Sequence, residues 1–503
     1  MSITKYYFTE EHESFRRTLR DYLEKEVVPN VDKWEEDGEL PHEIWKKIGD
    51  MGYFGLTFPE KYGGSELDFW YDVVFIEEVS KCNSAGFGAA VTAHTLLALA
   101  HINKSGSESL KEKYLRPGIA GDLHGGLAIT EPFSGSDVAG ILTTAVRDGD
   151  HYIINGSKCF ITNGVYGDFL VVACKTNPEA KSAGISLIVV DMNSPGVTTN
   201  KLKKLGWKAS DTGEISFDNV RVPAENLVGE ENKGFYYIMQ RFELERLTLA
   251  IASNAASDYA LEYALQYMSE RKAFGKTINK FQVLRHRVAQ MATELTANKV
   301  FTYNICRMYE DKIYCVKEAA MAKLTATELA DKVMYQCLQF FGGYGYMEEY
   351  KMARLFRDAR LGTIGGGTSE IMCEIISKMV IDDVSYDTSQ ESGTKSQDAY
   401  SVESIMASLP KRFKSEKAKD IQLNVQFQFS SKQYTVEIND GKIQVHEGHT
   451  GTANTTVKTD DETYINLETG KLNAQEAFMS GKVQISNLEA MMKMGRLFQK
   501  LAH

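Results

Sequence analysis

The sequence carries no cysteine pairs, no basic cluster, no apolar leader and no long hydrophobic run, and each absence removes a class of protein. Its seven cysteines (Cys82, Cys159, Cys174, Cys306, Cys315, Cys337, Cys373) stand singly with no CxxC spacing. Neither a metal site nor a disulfide framework is signalled, so reduced, buried thiols are expected. Lys and Arg number 57 against 68 Asp and Glu, a formal charge of −11. With the cations dispersed, a nucleic-acid or anionic-membrane partner is not expected. The opening residues MSITKYYFTEEHESFRR lack the apolar core of a signal peptide, and no run approaches the roughly 18 apolar residues of a spanning helix. The expectation is a soluble, cytoplasmic protein without integral membrane association.

What is present suits a multidomain enzyme. The composition, 43% apolar and 25% charged, is ordinary for a globular chain, and 503 residues exceed one compact core. Residues 1–125 read as helix. Thr9 caps a segment with an acidic first turn (Glu10, Glu11), and Phe15, Leu19, Leu23 and Val27 mark one apolar stripe until Pro29. Pro41 opens another helix that ends near Gly52. Residues 126–233 are β-rich: LAIT, TTAVR, HYIIN, KCFIT, DFLVVAC, GISLIVVD and GEISFDNVRVP are separated by turn signals, predicting one β domain, a barrel or sandwich.

From 234 to 384 the helical period returns in long segments broken at Gly275, Gly342–Gly343–Gly345 and Gly365–Gly367, predicting a four-helix bundle. Residues 385–400 are polar and non-periodic, a linker. Residues 401–503 begin again as a small α+β unit. Ile421, Leu423, Val425, Phe427 and Phe429 alternate with Gln422, Asn424, Gln426 and Gln428, a half-buried strand. Strands at Tyr434–Ile438 and Lys442–His446 turn at Asn439–Asp440–Gly441, and helical patterns follow at Leu472–Met479 and Leu488–Leu501.

The chemistry lies in ordered motifs. Ile129–Gly140, ITEPFSGSDVAG, packs small and hydroxyl residues into a loop after a strand, where backbone N–H groups face an anion such as a pyrophosphate. KCFITNG (158–164), ERKAFGKTINKFQ (270–282), QFFGGYGYMEEY (339–350) and RDARLGTIGGGTSEIM (357–372) follow in order. Together they resemble the signatures of the acyl-CoA dehydrogenases over about residues 5–385.

The resemblance implies FAD as cofactor. Its contacts would come from Leu127, Ile129, Thr130, Gly135 and Ser136, from Phe160, Ile161 and Thr162 over the flavin ring, and from Thr368, Ser369 and Glu370. Arg271, Phe274, Phe281, Gln282, Gln339, Phe340, Gly342 and Gly343 would complete a neighbour's site. That makes a dimer the minimum unit and a homotetramer, a dimer of dimers, the family's expectation. Electrons would pass to an electron-transfer flavoprotein.

Desaturating an acyl thioester needs a carboxylate base for the α-proton, an acceptor for the β-hydride and donors for the developing enolate oxygen. In the family those donors are a flavin ribityl hydroxyl and a backbone amide, here that of Thr368. Most members carry the catalytic Glu at the position occupied here by Gly366. The isovaleryl and long-chain branches instead place it in a Glu-Arg-Leu context on a bundle helix, matched by Phe242–Glu243–Leu244–Glu245–Arg246–Leu247. Glu245 is therefore the expected base, with Gly366 leaving it room. Glu243 points about 200° away on a helix. Ser136, Glu243, Leu244, Arg246, Gly366 and Gly367 are expected around the acyl-CoA. His94, His101, His124 and His151 stand alone and read as satisfied or surface residues.

The last unit, through ANTTVKTDDET and AFMSGKVQISN, resembles sterol-carrier-protein type-2 domains. Met491, Met492, Met494, Leu497 and Phe498 would line an adaptable cavity or serve as plain core. Two readings compete with the dehydrogenase: an acyl-CoA oxidase passing electrons to O2, and an inactive lipid-binding flavoprotein. Acyl chain length is left open.

Overall fold

Thr9 starts the first helix, Glu10–Glu26, as expected. Its hydroxyl accepts from the His12 amide while its own amide donates to His12 Nδ1, satisfying both groups reciprocally. Leu19, Leu23 and Val27 are buried against Trp34, Trp45 and Phe75. On the same helix Arg16 is buried and donates to Glu77 Oε2 (2.5 Å) and Glu78 Oε1 (3.1 Å) of helix Phe69–Val79. Tyr303, on helix Gln282–Glu310, donates its hydroxyl to Glu77. One buried polar network thus joins the N-terminal helices to the bundle.

The computed structural model describes residues 3–382, 384–386, 401–468, 472, 477–478 and 480–498. The chain divides into two units, Met1–Thr388 and Ser389–His503. Most of the expected linker, and most of the 472–479 helical pattern, lie outside the described residues.

Ala85–Ser105 corrects the expectation that no run is apolar and long enough to span a membrane. This helical run has 21 residues and mean hydropathy 1.4, but 78% of the window is buried inside the protein, as in a core helix. Its polar residues interrupt the sequence pattern, and the structure satisfies His94 and Thr95 internally. His94 Nε2 pairs with the Gly118 carbonyl (3.0 Å) and Nδ1 accepts from the Gly125 amide (3.1 Å), while Thr95 donates to the Phe54 carbonyl at 2.8 Å. Burial pushes the His94 pKa down to about 3, so it stays neutral at working pH.

The β domain has seven strands: β1 Gly125–Ala128, β2 Thr144–Asp148, β3 His151–Thr162, β4 Phe169–Lys175, β5 Ile185–Asp191, β6 Val197–Lys201 and β7 Thr212–Pro223. Their order is β1-β4-β2-β3-β7-β6, with β5 also on β4. HYIIN and KCFIT prove to be one strand, β3, interrupted against β7 by irregularities at Ile154/Gly156 and Lys158/Ile161. The polar strand β6 carries almost no apolar residues, so its periodicity gave no sign of it.

Four long helices, Gly234–Glu270, Gln282–Glu310, Val316–Phe341 and Ser369–Ile381, make up the bundle. A two-residue-per-strand hairpin, β8 Lys272–Ala273 with β9 Lys276–Thr277, follows the first of them.

In the second unit, strands β10 Gln422–Gln428, β11 Gln433–Asn439, β12 Lys442–Glu447, β13 Thr455–Thr459 and β14 Val483–Ile485 pair in the order β12-β11-β10-β13-β14. The β10–β13 pairing is parallel and the others are antiparallel. Asp440 (φ +46°) and Gly441 (φ +76°) turn β11 into β12, the positive angles a tight hairpin needs. Leu423, Val425, Phe427 and Phe429 are buried in one cluster. Met494 and Leu497 of the C-terminal segment join it, whereas Met492 is exposed, so that helix behaves as an ordinary core helix.

Phe427 is fully buried, its ring 5.7 Å from Phe429 and 5.8 Å from Tyr464. Phe427→Ala should cost about 3–5 kcal/mol, read as a lower urea midpoint of the second unit. An unchanged midpoint would remove this ring cluster from the core.

Candidate active site

The loop between β1 and β2 is held by a buried ion pair. Glu131 accepts from the Leu142 amide (2.5 Å) and the Thr143 amide (2.9 Å), and Lys158 Nζ donates to Glu131 Oε1 (2.8 Å) and to the Ile129 carbonyl (2.9 Å). Burial works against the Glu131 charge, but Lys158 and these donors hold its pKa below the usual carboxylate range. Both side chains are fully enclosed, which leaves Gly135 and Ser136 on the open side of the loop. A Cβ on Gly135 would meet nothing within 4 Å.

Strand β3 then presents an aromatic ring under strain. Beside the Lys158/Ile161 irregularity, Phe160 takes φ +60° and is 69% exposed. An aromatic residue held in the left-handed region and turned outward is the kind of outlier that marks a ligand platform. Ile161 is buried, while Thr162, Leu127, Ile129 and Thr130 are half-buried along the same edge.

The segments expected to serve a neighbour lie open. Phe274 has φ +49° and is 95% exposed; Arg271 is exposed and lies over the Tyr344 ring at 5.6 Å. Gln282 and Gln339 are exposed, Phe281 is half-buried and Phe340 is buried. Gly342 and Gly343 have open space where a Cβ would stand.

On the bundle side Thr368 caps helix Ser369–Ile381, its hydroxyl accepting from the Ile371 amide at 3.3 Å. The Ser369 hydroxyl is buried with no hydrogen-bond partner among the described residues, and Glu370 is exposed. An open amide loop, an outturned Phe160 and an orphaned Ser369 hydroxyl are what a bound FAD needs, so the residues present fit that cofactor.

Glu245 lies on helix Gly234–Glu270 and faces the position that lacks its own carboxylate. A Cβ built on Gly366 would stand 3.5 Å from Glu245 Oε1 and 2.4 Å from Leu249 Cδ1. Gly366 and Gly367 take φ +60° and +88°, angles that strain any residue with a Cβ. Burial raises the Glu245 pKa above the usual carboxylate range, against the pull of Arg246 and Lys323.

Its neighbours on the helix turn elsewhere, as 100° per residue requires. Glu243 Oε1 accepts from the Cys315 amide at 3.3 Å, and Leu244 is buried with Trp70, Val73 and Leu247. Both contacts lie off the Glu245 side of the helix. Arg246 is buried, its guanidinium 5.4 Å from the Phe242 ring centroid and its Nε without a partner among the described residues.

Three residues were not foreseen: Glu131, Lys158 and Lys323. Lys323 is fully buried and donates to the Gly367 carbonyl at 2.6 Å. A signal existed, since Lys323 interrupts the small buried face Ala319, Ala322, Ala326 and Ala330 of its helix.

The class defined by this arrangement is a flavoenzyme of helical, β and helical domains with a helix-borne carboxylate facing a glycine loop. The comparisons name it. Residues 9–122, 126–220 and 232–381 match the N-terminal, middle and C-terminal domain models of acyl-CoA dehydrogenase, and residues 404–499 match the SCP-2 sterol transfer family. The mouse mitochondrial long-chain specific acyl-CoA dehydrogenase is 40% identical over 379 residues, 75% of this chain and 88% of that protein. The caffeyl-CoA reductase-Etf complex subunit CarC of Acetobacterium woodii is 39% identical over 377 residues, 75% and 99% of the two chains. The crystal structure of acyl-CoA dehydrogenase from Geobacillus kaustophilus matches with TM-score 0.72 and 43% identity, covering 75% of this chain and 99% of that one. The chain belongs to the acyl-CoA dehydrogenase family, is a flavin-dependent enzyme with FAD as cofactor, and carries a C-terminal SCP-2 domain.

Removing the Lys158 ammonium leaves the Glu131 carboxylate buried and under-compensated. Lys158→Met should destabilise the first unit by about 3–5 kcal/mol and lower the FAD retained on purification, read as the ratio of flavin to protein absorbance. Unchanged flavin content and stability would show that the pair does not hold the loop.

Proposed function

We propose that this enzyme removes the α-proton of an acyl-CoA with Glu245 and delivers the β-hydride to FAD, forming the trans-2-enoyl-CoA. The observation that carries the assignment is the 3.5 Å approach of Glu245 Oε1 to the position a Gly366 side chain would fill. The helix supplies the carboxylate from one wall and the glycine supplies its room from the other. FAD, when bound, supplies the hydride acceptor. The chain's own part is to hold the base beside the thioester, keep water from it and keep it basic. A raised pKa makes Glu245 a stronger base than a solvated carboxylate, and the Thr368 amide is suited to receive the enolate oxygen.

We assign the electrons to an electron-transfer flavoprotein, in line with the Etf complex named for the Acetobacterium relative. The open Phe274 and Gly342–Gly343 surfaces support a homotetramer in which neighbours complete one another's sites. The SCP-2 domain is assigned the role of presenting acyl chains, supported by a cleft whose apolar wall includes Met406, Pro410, Ile443 and Val445 and whose rim carries Glu403, Gln444, His446 and Glu447. The cytoplasm is the proposed compartment.

Glu245→Gln should keep the FAD spectrum while slowing anaerobic flavin bleaching by acyl-CoA about 10²–10⁴-fold; wild-type bleaching rates in this variant would move the base elsewhere. In the wild-type enzyme only ionised Glu245 is competent. The bleaching rate should therefore rise with pH and level off above the usual carboxylate range, and a rate flat from pH 4.5 upward would contradict a raised pKa. Hydrogen peroxide as the main reduced product would point to an oxidase. Deleting 390–503 should weaken turnover of long acyl chains more than short ones across a ladder of lengths. An even effect, or none, would remove acyl presentation from the SCP-2 domain.

A further inference from the structure

We propose that Lys323 is a positioning residue for the reaction, a buried ammonium that ties the glycine loop to helix Val316–Phe341 and sets the charge field around the Glu245 carboxylate. This rests on Glu245 being the base and goes beyond it, since Lys323 is outside the expected site residues and reaches one of them, Gly367, only through its backbone carbonyl. Its side chain joins its own helix to the glycine loop. It rises from helix Val316–Phe341, is fully buried, and donates to the Gly367 carbonyl at 2.6 Å. Gly367 adjoins Gly366, whose Cα carries no side chain so that Glu245 and Leu249 can approach. One residue further on, Thr368 caps the helix that bears Ser369 and Glu370. Releasing the Gly367 carbonyl would therefore loosen the wall opposite the base and the cap beside the flavin contacts together.

The second part of the role is electrostatic. The ammonium donates to the carbonyl rather than to Glu245, and the two charges act on each other through space. Glu245 faces Arg246 from its own helix and Lys323 from the next. Lys323 faces Glu245, Arg246, Glu328 and Glu370. Arg246 exerts the larger pull on Glu245, but a guanidinium keeps its charge across the working range. Burial lowers the Lys323 pKa to about 8, so Lys323 is the neighbour whose charge changes near neutral pH. A buried lysine bought for loop structure alone would be a costly choice where a neutral donor would do.

The coupling is read from both ends on holoenzyme. Difference infrared titration of the Glu245 carboxyl, with Glu245→Gln as blank, should show its midpoint move up by about 1 pH unit or more in Lys323→Met, as expected on losing an opposite charge nearby. Lys323→Gln, which keeps a donor for the Gly367 carbonyl, should shift the midpoint likewise while retaining more FAD than Lys323→Met. Bleaching rates at pH 6 should fall about tenfold or more in both, with the loss recovered at higher pH. From the other end, the Lys323 Nζ signal in lysine-labelled protein should titrate near 8 in the wild type and lower in Glu245→Gln, a variant of the same size that needs no change at Lys323. An Nζ that titrates identically in wild type and Glu245→Gln, or a Glu245 midpoint unmoved in folded Lys323 variants, overturns the proposal and leaves Lys323 a loop tie only. Normal bleaching in Glu245→Gln would instead sink the assignment of the base, independently of the lysine titration.

Discussion

Burying a carboxylate without a direct partner is costly, and a base strong enough to take a proton from a thioester has to carry that cost. With Glu245 as the proposed base, the burden falls on a half-buried carboxylate and the space beside Gly366. Glu245 is held near Leu249 and the glycine loop, with Arg246 and Lys323 answering its charge from a distance. An ion pair at hydrogen-bond distance would pull the pKa down and spoil the base. Leaving out the cations altogether would favour the protonated acid. The intermediate arrangement keeps a raised pKa and a usable carboxylate together.

Much of the catalytic unit follows from supporting that contact. Helix Gly234–Glu270 must lie beside helix Val316–Phe341, and small residues such as Ala319, Ala322 and Ala326 allow the close approach. The Arg16–Glu77–Tyr303 network ties the N-terminal helices to the same bundle, and the Glu131–Lys158 pair fixes the loop on the β side. Each is a buried polar link between elements distant in sequence, placed where an apolar contact would leave orientation looser. The left-handed Phe160 stands where FAD is expected, and Gly366 and Gly367 adopt positive φ that a residue with a Cβ would take only under strain.

The second unit obeys simpler rules. Its β10 strand shows strict alternation and buries every second residue, and its hairpin turn uses Asp440–Gly441 with both angles positive. Strand β6 escaped sequence reading because its residues are polar and mostly exposed, held to β7 by backbone bonds that leave no mark on side-chain pattern. The apolar run at Ala85–Ser105 escaped for the opposite reason: His94 and Thr95 break its pattern but spend their polar groups on nearby backbone.

By itself the sequence determined the order of helical, β and helical domains, the flavin loop, the vacancy at Gly366 and the candidacy of Glu245, because these are written in local motifs and periodicity. Tertiary structure alone decided which of the neighbouring side chains stands beside Gly366, sending Glu243 to the Cys315 amide and Leu244 into the core. It also decided that Lys323, some eighty positions from Glu245 in the chain, shares its electrostatic surroundings. The reason is physical: a motif specifies chemistry over a few residues, whereas burial, dielectric and through-space charge depend on segments that meet only when the chain has folded.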